Sequence, residues 1–194
     1  MHHNTQERLN EIYSDPEFVA EYLSTERLEF YAKTANLLPE KGIEYTDKHI
    51  ADAGCGTGDL LRFIHENFDA SSLTGLEYSQ AALEICKTNL SEAEFQYFDI
   101  YEQYNLEFDI IFCIEVLEHL LHPDKALLNI LSMISKSGIA LITVPDGRVD
   151  TFDGHINFWS PESWAIFIEN NCSGLDVETG FIDDKINFAI ITKI

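Results

Sequence analysis

Two groups of residues in this chain have types and spacings that can do chemistry. The first is the run Asp52-Ala53-Gly54-Cys55-Gly56-Thr57-Gly58-Asp59, with further acidic residues at Glu77 and Asp99. Glycines at alternate positions let the backbone turn sharply and leave no Cβ between it and a ligand. The second group is Glu115-Val116-Leu117-Glu118-His119, joined later by His155 in Asp153-Gly154-His155-Ile156-Asn157-Phe158-Trp159. On a helical turn, Glu115, Glu118 and His119 stand at i, i+3 and i+4 and share one face. Two carboxylates and an imidazole on one face can bind a divalent ion or provide a general base.

The elements that must position these residues can be read from apolar periodicity. Strands are expected near 48–53, 72–77, 94–98, 108–113 and 138–144, and helices near 58–67, 79–90, 123–136 and 160–170. Two further strand-like runs, 174–181 and 186–193, are joined by Asp183-Asp184-Lys185, a hairpin signal. Residues 16–37 carry apolar side chains at near-helical spacing and end before Pro39, which predicts an N-terminal helical region that can be broken. Strand–helix alternation implies an α/β fold: a doubly wound, mostly parallel sheet that ends in an antiparallel hairpin. The glycine turn and the acids at 52, 77 and 99 then fall at the C-terminal ends of successive strands, where such folds bind ligands. The stretch 145–159 lacks periodicity, and a long loop in a compact domain is often functional.

Composition narrows the partners. The 194 residues read as a single domain, with residues 1–45 helical and 46–194 forming the sheet core. Twelve basic against 34 acidic residues give a net charge of −22, which repels nucleic acid and anionic membranes. No apolar run suits a membrane span or a secretory signal, so a cytoplasmic location is expected. Cys55, Cys86, Cys113 and Cys172 form no CxxC pair and read as reduced, buried thiols.

Glu77 lies 19 positions past Gly58, where a doubly wound fold places a carboxylate for ribose hydroxyls. A nicotinamide dinucleotide site would share that feature. Two details oppose it: Asp59 stands where the dinucleotide form needs a small residue, and Asp52 beside the turn suits a cationic ligand. The run Asp52 to Gly58 resembles the first motif of class I S-adenosylmethionine-dependent methyltransferases, and the resemblance covers residues 45–194, including the terminal hairpin of their Rossmann-like seven-stranded sheet. It implies a cofactor site in which Gly54, Cys55, Gly56 and Gly58 lie against S-adenosylmethionine, with S-adenosylhomocysteine as product. Asp52 would then lie near the amino acid moiety, Glu77 on the ribose, Tyr78 against the adenosine, Asp99 and Ile100 at the adenine, and Cys113 with Ile114 on the methionine side.

Glu-Val-Leu-Glu-His stretches also occur in small-molecule methyltransferases such as those of quinone biosynthesis, where no metal is implied. With the loop histidine and aromatics added, the pattern resembles metal-dependent 2′-O-methyltransferases acting on small-RNA 3′ ends. That likeness implies Glu115, Glu118, His119 and His155 as ligands of Mg²⁺ or Mn²⁺ held against a vicinal diol. The spacing of the two histidines is shorter here and there is no basic surface, so the RNA substrate does not carry over. Three readings of the cluster stand together: a metal site, a metal-free site with Glu115, His119 or His155 in catalysis, and structural roles alone. Phe152, Phe158, Trp159 and Trp164 are candidates for a substrate wall, with core packing as the competing reading for Trp164. The expected function is O-methylation of a small molecule or a saccharide hydroxyl. The alternatives are a metal-independent quinone-type or aromatic O-methyltransferase and a non-catalytic binding module. The acceptor and the oligomeric state are not specified by the residues.

Overall fold

The computed structural model describes residues 5–193. Contacts divide the chain into two compact units, the first ending at Asp99 and the second beginning at Ile100.

The first unit opens with three helices, α1 (Gln6–Tyr13), α2 (Pro16–Tyr22) and α3 (Thr25–Glu40). Each has a side-chain N-cap, from Thr5, Asp15 and Ser24 respectively, which satisfies a backbone N–H that the helix cannot. The short polar α1 has no buried residue; it falls within the helical region expected over 1–45 but precedes the apolar pattern at 16–37. The buried face of α3 is Tyr31, Thr34, Ala35 and Leu38, spaced at i, i+3, i+4 and i+7. The helix runs through Pro39 rather than stopping before it. Proline cannot donate to the Ala35 carbonyl one turn back, and the Tyr45 hydroxyl fills that place at 2.5 Å. The strands β1 (His49–Ala53), β2 (Ser72–Glu77) and β3 (Glu94–Tyr97) are all parallel and ordered β3-β2-β1. The helices α4 (Asp59–Asn67) and α5 (Gln80–Asn89) connect them.

The second unit holds β4 (Phe108–Ile114), α6 (Pro123–Ser132), β5 (Ile134–Pro145), α7 (Pro161–Asn171), β6 (Asp176–Ile182) and β7 (Ile186–Thr192). β4 pairs with β5 in parallel, and β5, β7 and β6 follow as antiparallel neighbours. The expected helix over 123–136 ends at Ser132, and β5 begins four residues earlier than the apolar run suggested. The early start is a bulged segment: register slips between Phe108 and Ile110, and Ser137 takes φ +63°. The closing hairpin turns at Asp183 and Asp184, both left-handed, as a tight turn between twisted strands requires.

Seven strands, mostly parallel with an antiparallel C-terminal pair, give the expected Rossmann-like α/β class. Among the described residues, no helix is long and apolar enough to cross a membrane. All four cysteines are free and buried.

Candidate active site

In the first unit the chain leaves β1 straight into the glycine turn. Gly54, Gly56 and Gly58 have φ of +82°, +53° and +80°, a region closed to most side chains, which explains glycine at alternate positions. The turn is pinned to β2, since Gly54 N donates to the Leu76 carbonyl at 2.7 Å. Asp59 then opens α4, accepting from Thr57 Oγ1 at 2.5 Å and from Arg62 Nη2 at 2.7 Å. Cys55 Sγ lies 3.9 Å from Cys86 Sγ, which itself contacts the Gly56 carbonyl.

Two buried carboxylates face this turn. Glu77, at the end of β2, accepts from Gly56 N at 3.0 Å and from Ser79 N at 2.7 Å. Burial pushes its pKa up, and those backbone donors oppose the shift. Asp52, at the end of β1, is only 3% exposed, and its Oδ1 has no hydrogen-bond partner. Burial, with the Glu77 charge as a smaller cause, pushes its pKa up to about 8. An orphaned buried carboxylate oxygen beside a turn with glycine at alternate positions suits a ligand that brings positive charge. Tyr78 is half-buried and pairs with Tyr97, ring centroids 5.6 Å apart, while Asp99 closes the unit. The residues therefore fit the expected donor, a sulfonium with an ammonium group and a ribose diol.

In the second unit the expected helical face at 115–119 does not form. Glu115 takes a left-handed φ of +57°, and only Leu117–His119 close a single 3-10 turn. This geometry sends Glu115 toward β5, where its Oε1 accepts from Thr143 Oγ1 at 3.1 Å. The residues brought together are Glu118, His119 and His155, whose ligating atoms all lie within 4.8 Å of one another. His119 Nε2 and His155 Nε2 are each 3.8 Å from Glu118 Oε1. Glu115, expected as a fourth member, is not in this cluster.

Each imidazole is anchored through its other nitrogen. His119 Nδ1 lies 3.2 Å from the Gly154 carbonyl, and His155 Nδ1 lies 2.5 Å from Asp150 Oδ2. A carbonyl can only accept, so His119 Nδ1 carries the proton; beside a carboxylate the same holds for His155. Nε2 is then the nitrogen of each ring that faces the Glu118 carboxylate. Imidazoles held through Nδ1 by a carbonyl or carboxylate are the usual surroundings of metal-ligating histidines. Donors sharing an ion at about 2.0–2.2 Å stand about 3–4 Å apart; the two Glu118–histidine separations of 3.8 Å fall in that range, and the whole cluster lies within 4.8 Å.

The loop after β5 supplies the anchors. Ile156 N and Asn157 N both donate to the Glu118 carbonyl, at 2.9 and 3.0 Å. Asn157 Nδ2 reaches the carbonyls of Leu120 at 2.7 Å and Leu117 at 3.2 Å, stapling the loop to the 3-10 turn. Asp146 starts the loop, holding Arg148 at 2.6 Å, and that guanidinium lowers the Asp146 pKa. A Cβ at Gly147 would lie 2.5 Å from the Phe158 carbonyl carbon, so only glycine permits the loop's two ends to meet. Asp150 and Asn157 were not singled out from sequence. The available signals were their own side-chain types inside a loop already marked as aperiodic.

The four aromatics named as candidates for a substrate wall fall into two groups. Trp164 is buried and donates to the Phe188 carbonyl at 3.1 Å, and Trp159 packs on Trp164 and Phe167. Phe152 and Phe158 remain, each about half exposed, with Phe152 4.8 Å and Phe158 6.5 Å from the His155 ring. Ile100 and Cys113, expected on the donor side, are buried in the second unit; the Ile100 carbonyl accepts from Asn129 Nδ2, and Cys113 lies within β4.

Comparison with known proteins identifies the family. A family model described as a methyltransferase domain matches residues 20–171. A trans-aconitate 2-methyltransferase of Escherichia fergusonii is 28% identical over 114 residues, which is 58% of this chain and 44% of the relative. A ubiquinone biosynthesis O-methyltransferase of Coxiella burnetii is 28% identical over 105 residues, 51% of this chain and 44% of the relative. The matched segment thus spans less than half the length of these curated relatives. The crystal structure of magnesium protoporphyrin IX methyltransferase from Synechocystis PCC 6803 with bound S-adenosylhomocysteine shares the fold. Its TM-score is 0.69 at 13% identity, covering 97% of this chain and 94% of that one.

Proposed function

The chain belongs to the class I S-adenosylmethionine-dependent methyltransferases, and on that premise we propose that it methylates a hydroxyl oxygen of a small cytoplasmic molecule, with a divalent-metal site on the acceptor side. The observation that carries the metal reading is the convergence of His119 Nε2 and His155 Nε2 on one Glu118 oxygen, each at 3.8 Å. Glu118, His119 and His155 would hold the ion, Mg²⁺ or Mn²⁺, and nitrogen donors favour Mn²⁺ of the two.

Methyl transfer needs an oxygen nucleophile aligned behind the sulfonium methyl group and made sufficiently anionic. A divalent ion, when bound, lowers the pKa of a coordinated hydroxyl. The chain's own residues do the rest. Asp150 and the Gly154 carbonyl fix the ring tautomers so that both Nε2 atoms stay available. Asn157 holds the loop that carries His155 against the turn that carries Glu118 and His119. Phe152 and Phe158 offer half-exposed ring faces to an apolar or sugar-like acceptor body. On the donor side, Asp52 offers a buried carboxyl that the donor's cationic groups would draw into its ionised form, and Glu77 accepts from the ribose hydroxyls.

The acceptor is small and hydroxylated, a saccharide unit or a hydroxylated aromatic; the acidity of the chain argues against polyanions. One observation favours a second reading. The Asp150–His155 contact at 2.5 Å is also how a carboxylate orients a histidine general base, and that base would serve a metal-free, quinone-type reaction. Transfer of labelled methyl groups to a panel of sugar and catechol acceptors separates the two. Loss of transfer on chelation, with recovery on adding Mn²⁺ or Mg²⁺, supports the metal reading. Transfer that survives chelation but is lost in His155→Ala supports the base.

A further inference from the structure

The N-terminal helices approach the glycine turn, and the match to the methyltransferase family begins only at residue 20, so α1 lies outside it. A side-chain Cβ built at Gly56 would meet Tyr13 Oη at 3.1 Å and Tyr22 Cε1 at 3.4 Å. Two phenols therefore stand on the side of the turn that glycine leaves open. α1 is tied down beside them: Asn10 Oδ1 accepts from Ser79 Oγ at 2.8 Å and from Ala81 N at 3.2 Å, and Gln6 Nε2 donates to the Tyr78 carbonyl at 3.2 Å. Those contacts fall directly after Glu77, so α1 reaches both edges of the donor pocket.

The Tyr13 and Tyr22 hydroxyls lie 3.0 Å apart. A hydroxyl pair carries two protons, and the bond between them uses one. Burial pushes both phenols' pKa up, so both stay protonated. The spare proton is a part-buried donor beside a turn already faced by Asp52, Glu77 and Asp59. In such an acidic setting, the group of a bound ligand that most needs donors is an anionic oxygen. Arg27 adds positive charge nearby, its guanidinium carbon 5.4 Å from the Tyr22 ring centroid.

We infer that α1 and α2 complete the methyl-donor pocket, with Tyr22 donating to Tyr13 and Tyr13 donating to the carboxylate of the donor's amino acid moiety. The ribose is the weaker candidate because its hydroxyls are themselves donors and Glu77 already supplies their acceptors. Asp52 faces the cationic groups of the same moiety. The inference concerns the donor alone and does not depend on the metal reading.

Calorimetric titration of the full chain with S-adenosylhomocysteine and with 5′-methylthioadenosine, which lacks the amino acid moiety, tests it. Phenylalanine keeps the ring contacts of Tyr13 with Phe18 and Tyr22. Tyr13→Phe should weaken S-adenosylhomocysteine about tenfold, as loss of one charge-assisted hydrogen bond does, and leave methylthioadenosine unchanged. Tyr22→Phe should produce a smaller loss of the same selectivity. Undiminished S-adenosylhomocysteine affinity in both variants, or equal losses for both ligands, overturns the assignment. If Tyr13→Phe fails to fold, by its ligand-free thermal transition, the Tyr22→Phe arm decides the question by the same criterion.

Discussion

His155 Nδ1 lies 2.5 Å from Asp150 Oδ2, and this contact determines which nitrogen of the ring faces Glu118. With Nδ1 engaged by Asp150, Nε2 is the nitrogen that faces the Glu118 carboxylate 3.8 Å away. The relationship spans five residues of loop, with Phe152 N also bonded to Asp150 Oδ1 and His155 N to the Phe152 carbonyl. The loop is thus organised around presenting one imidazole nitrogen.

Asp150→Asn keeps the shape of this contact and weakens its hold on the tautomer. Loss of such an outer partner costs about 10–100-fold in metal affinity. Mn²⁺ affinity of the variant, measured calorimetrically, should fall within that range, and Asp150→Glu should recover part of it. An unchanged affinity would show that Asp150 does not act through His155.

Asn157→Ala removes the donor to the Leu117 and Leu120 carbonyls. Losing hydrogen bonds at a part-buried staple costs about 1–3 kcal/mol. Urea denaturation should show a loss of that size, accompanied by reduced methyl transfer, because the loop no longer seats His155 against Glu118. Wild-type stability and activity together would remove the staple from the account.

Asp52 makes the ligand-free protein sensitive to pH. Its ordinary pKa of 3.8 rises to about 8 in the folded chain, so between those values the folded state holds a proton that the unfolded state has released. Stability therefore falls as pH rises from about 4 to about 8 and levels off above, by at most about 1.4 kcal/mol per pH unit. Asp52→Asn lacks this dependence. Denaturation midpoints across pH 5 to 9 should show a stability difference in favour of the variant that grows with pH; parallel profiles would contradict it.

Tyr45→Phe leaves the Ala35 carbonyl without the hydroxyl that substitutes for the N–H absent at Pro39. A buried acceptor left unsatisfied costs about 1–3 kcal/mol. The variant should lose thermal stability by that order while binding S-adenosylhomocysteine as the wild type does once folded. A thermal transition at the wild-type temperature would contradict this role for the hydroxyl.

The residues that carry local signals were legible in the sequence. Glycines at 54, 56 and 58 each take a left-handed backbone, and the aspartates at 183 and 184 turn the hairpin as expected. Pairing across distance was not legible. Pro39 reads as a helix stop until Tyr45 supplies the missing hydrogen bond, ten residues from the carbonyl it serves. Glu115 reads as part of a helical face because i, i+3 and i+4 spacing assumes an α-helix, and a left-handed residue at the end of β4 breaks that assumption. Asp150 and Asn157 gain their roles only once the loop folds back onto the 3-10 turn, which no local pattern encodes. The polar α1 fell within the helical region expected over 1–45 but carries no apolar pattern of its own, because its anchoring is hydrogen bonding by Asn10 and Gln6 rather than an apolar face.

The measurement closest to the central claim is titration of Mn²⁺ into metal-free protein, followed by the loss of its free-ion paramagnetic resonance signal. The account predicts about one ion bound per chain. Binding should be lost in His119→Ala, His155→Ala and Glu118→Gln and retained in Glu115→Gln, whose carboxylate faces Thr143 instead. Absence of binding in the wild type, or undiminished binding in the His119, His155 and Glu118 variants, would contradict it.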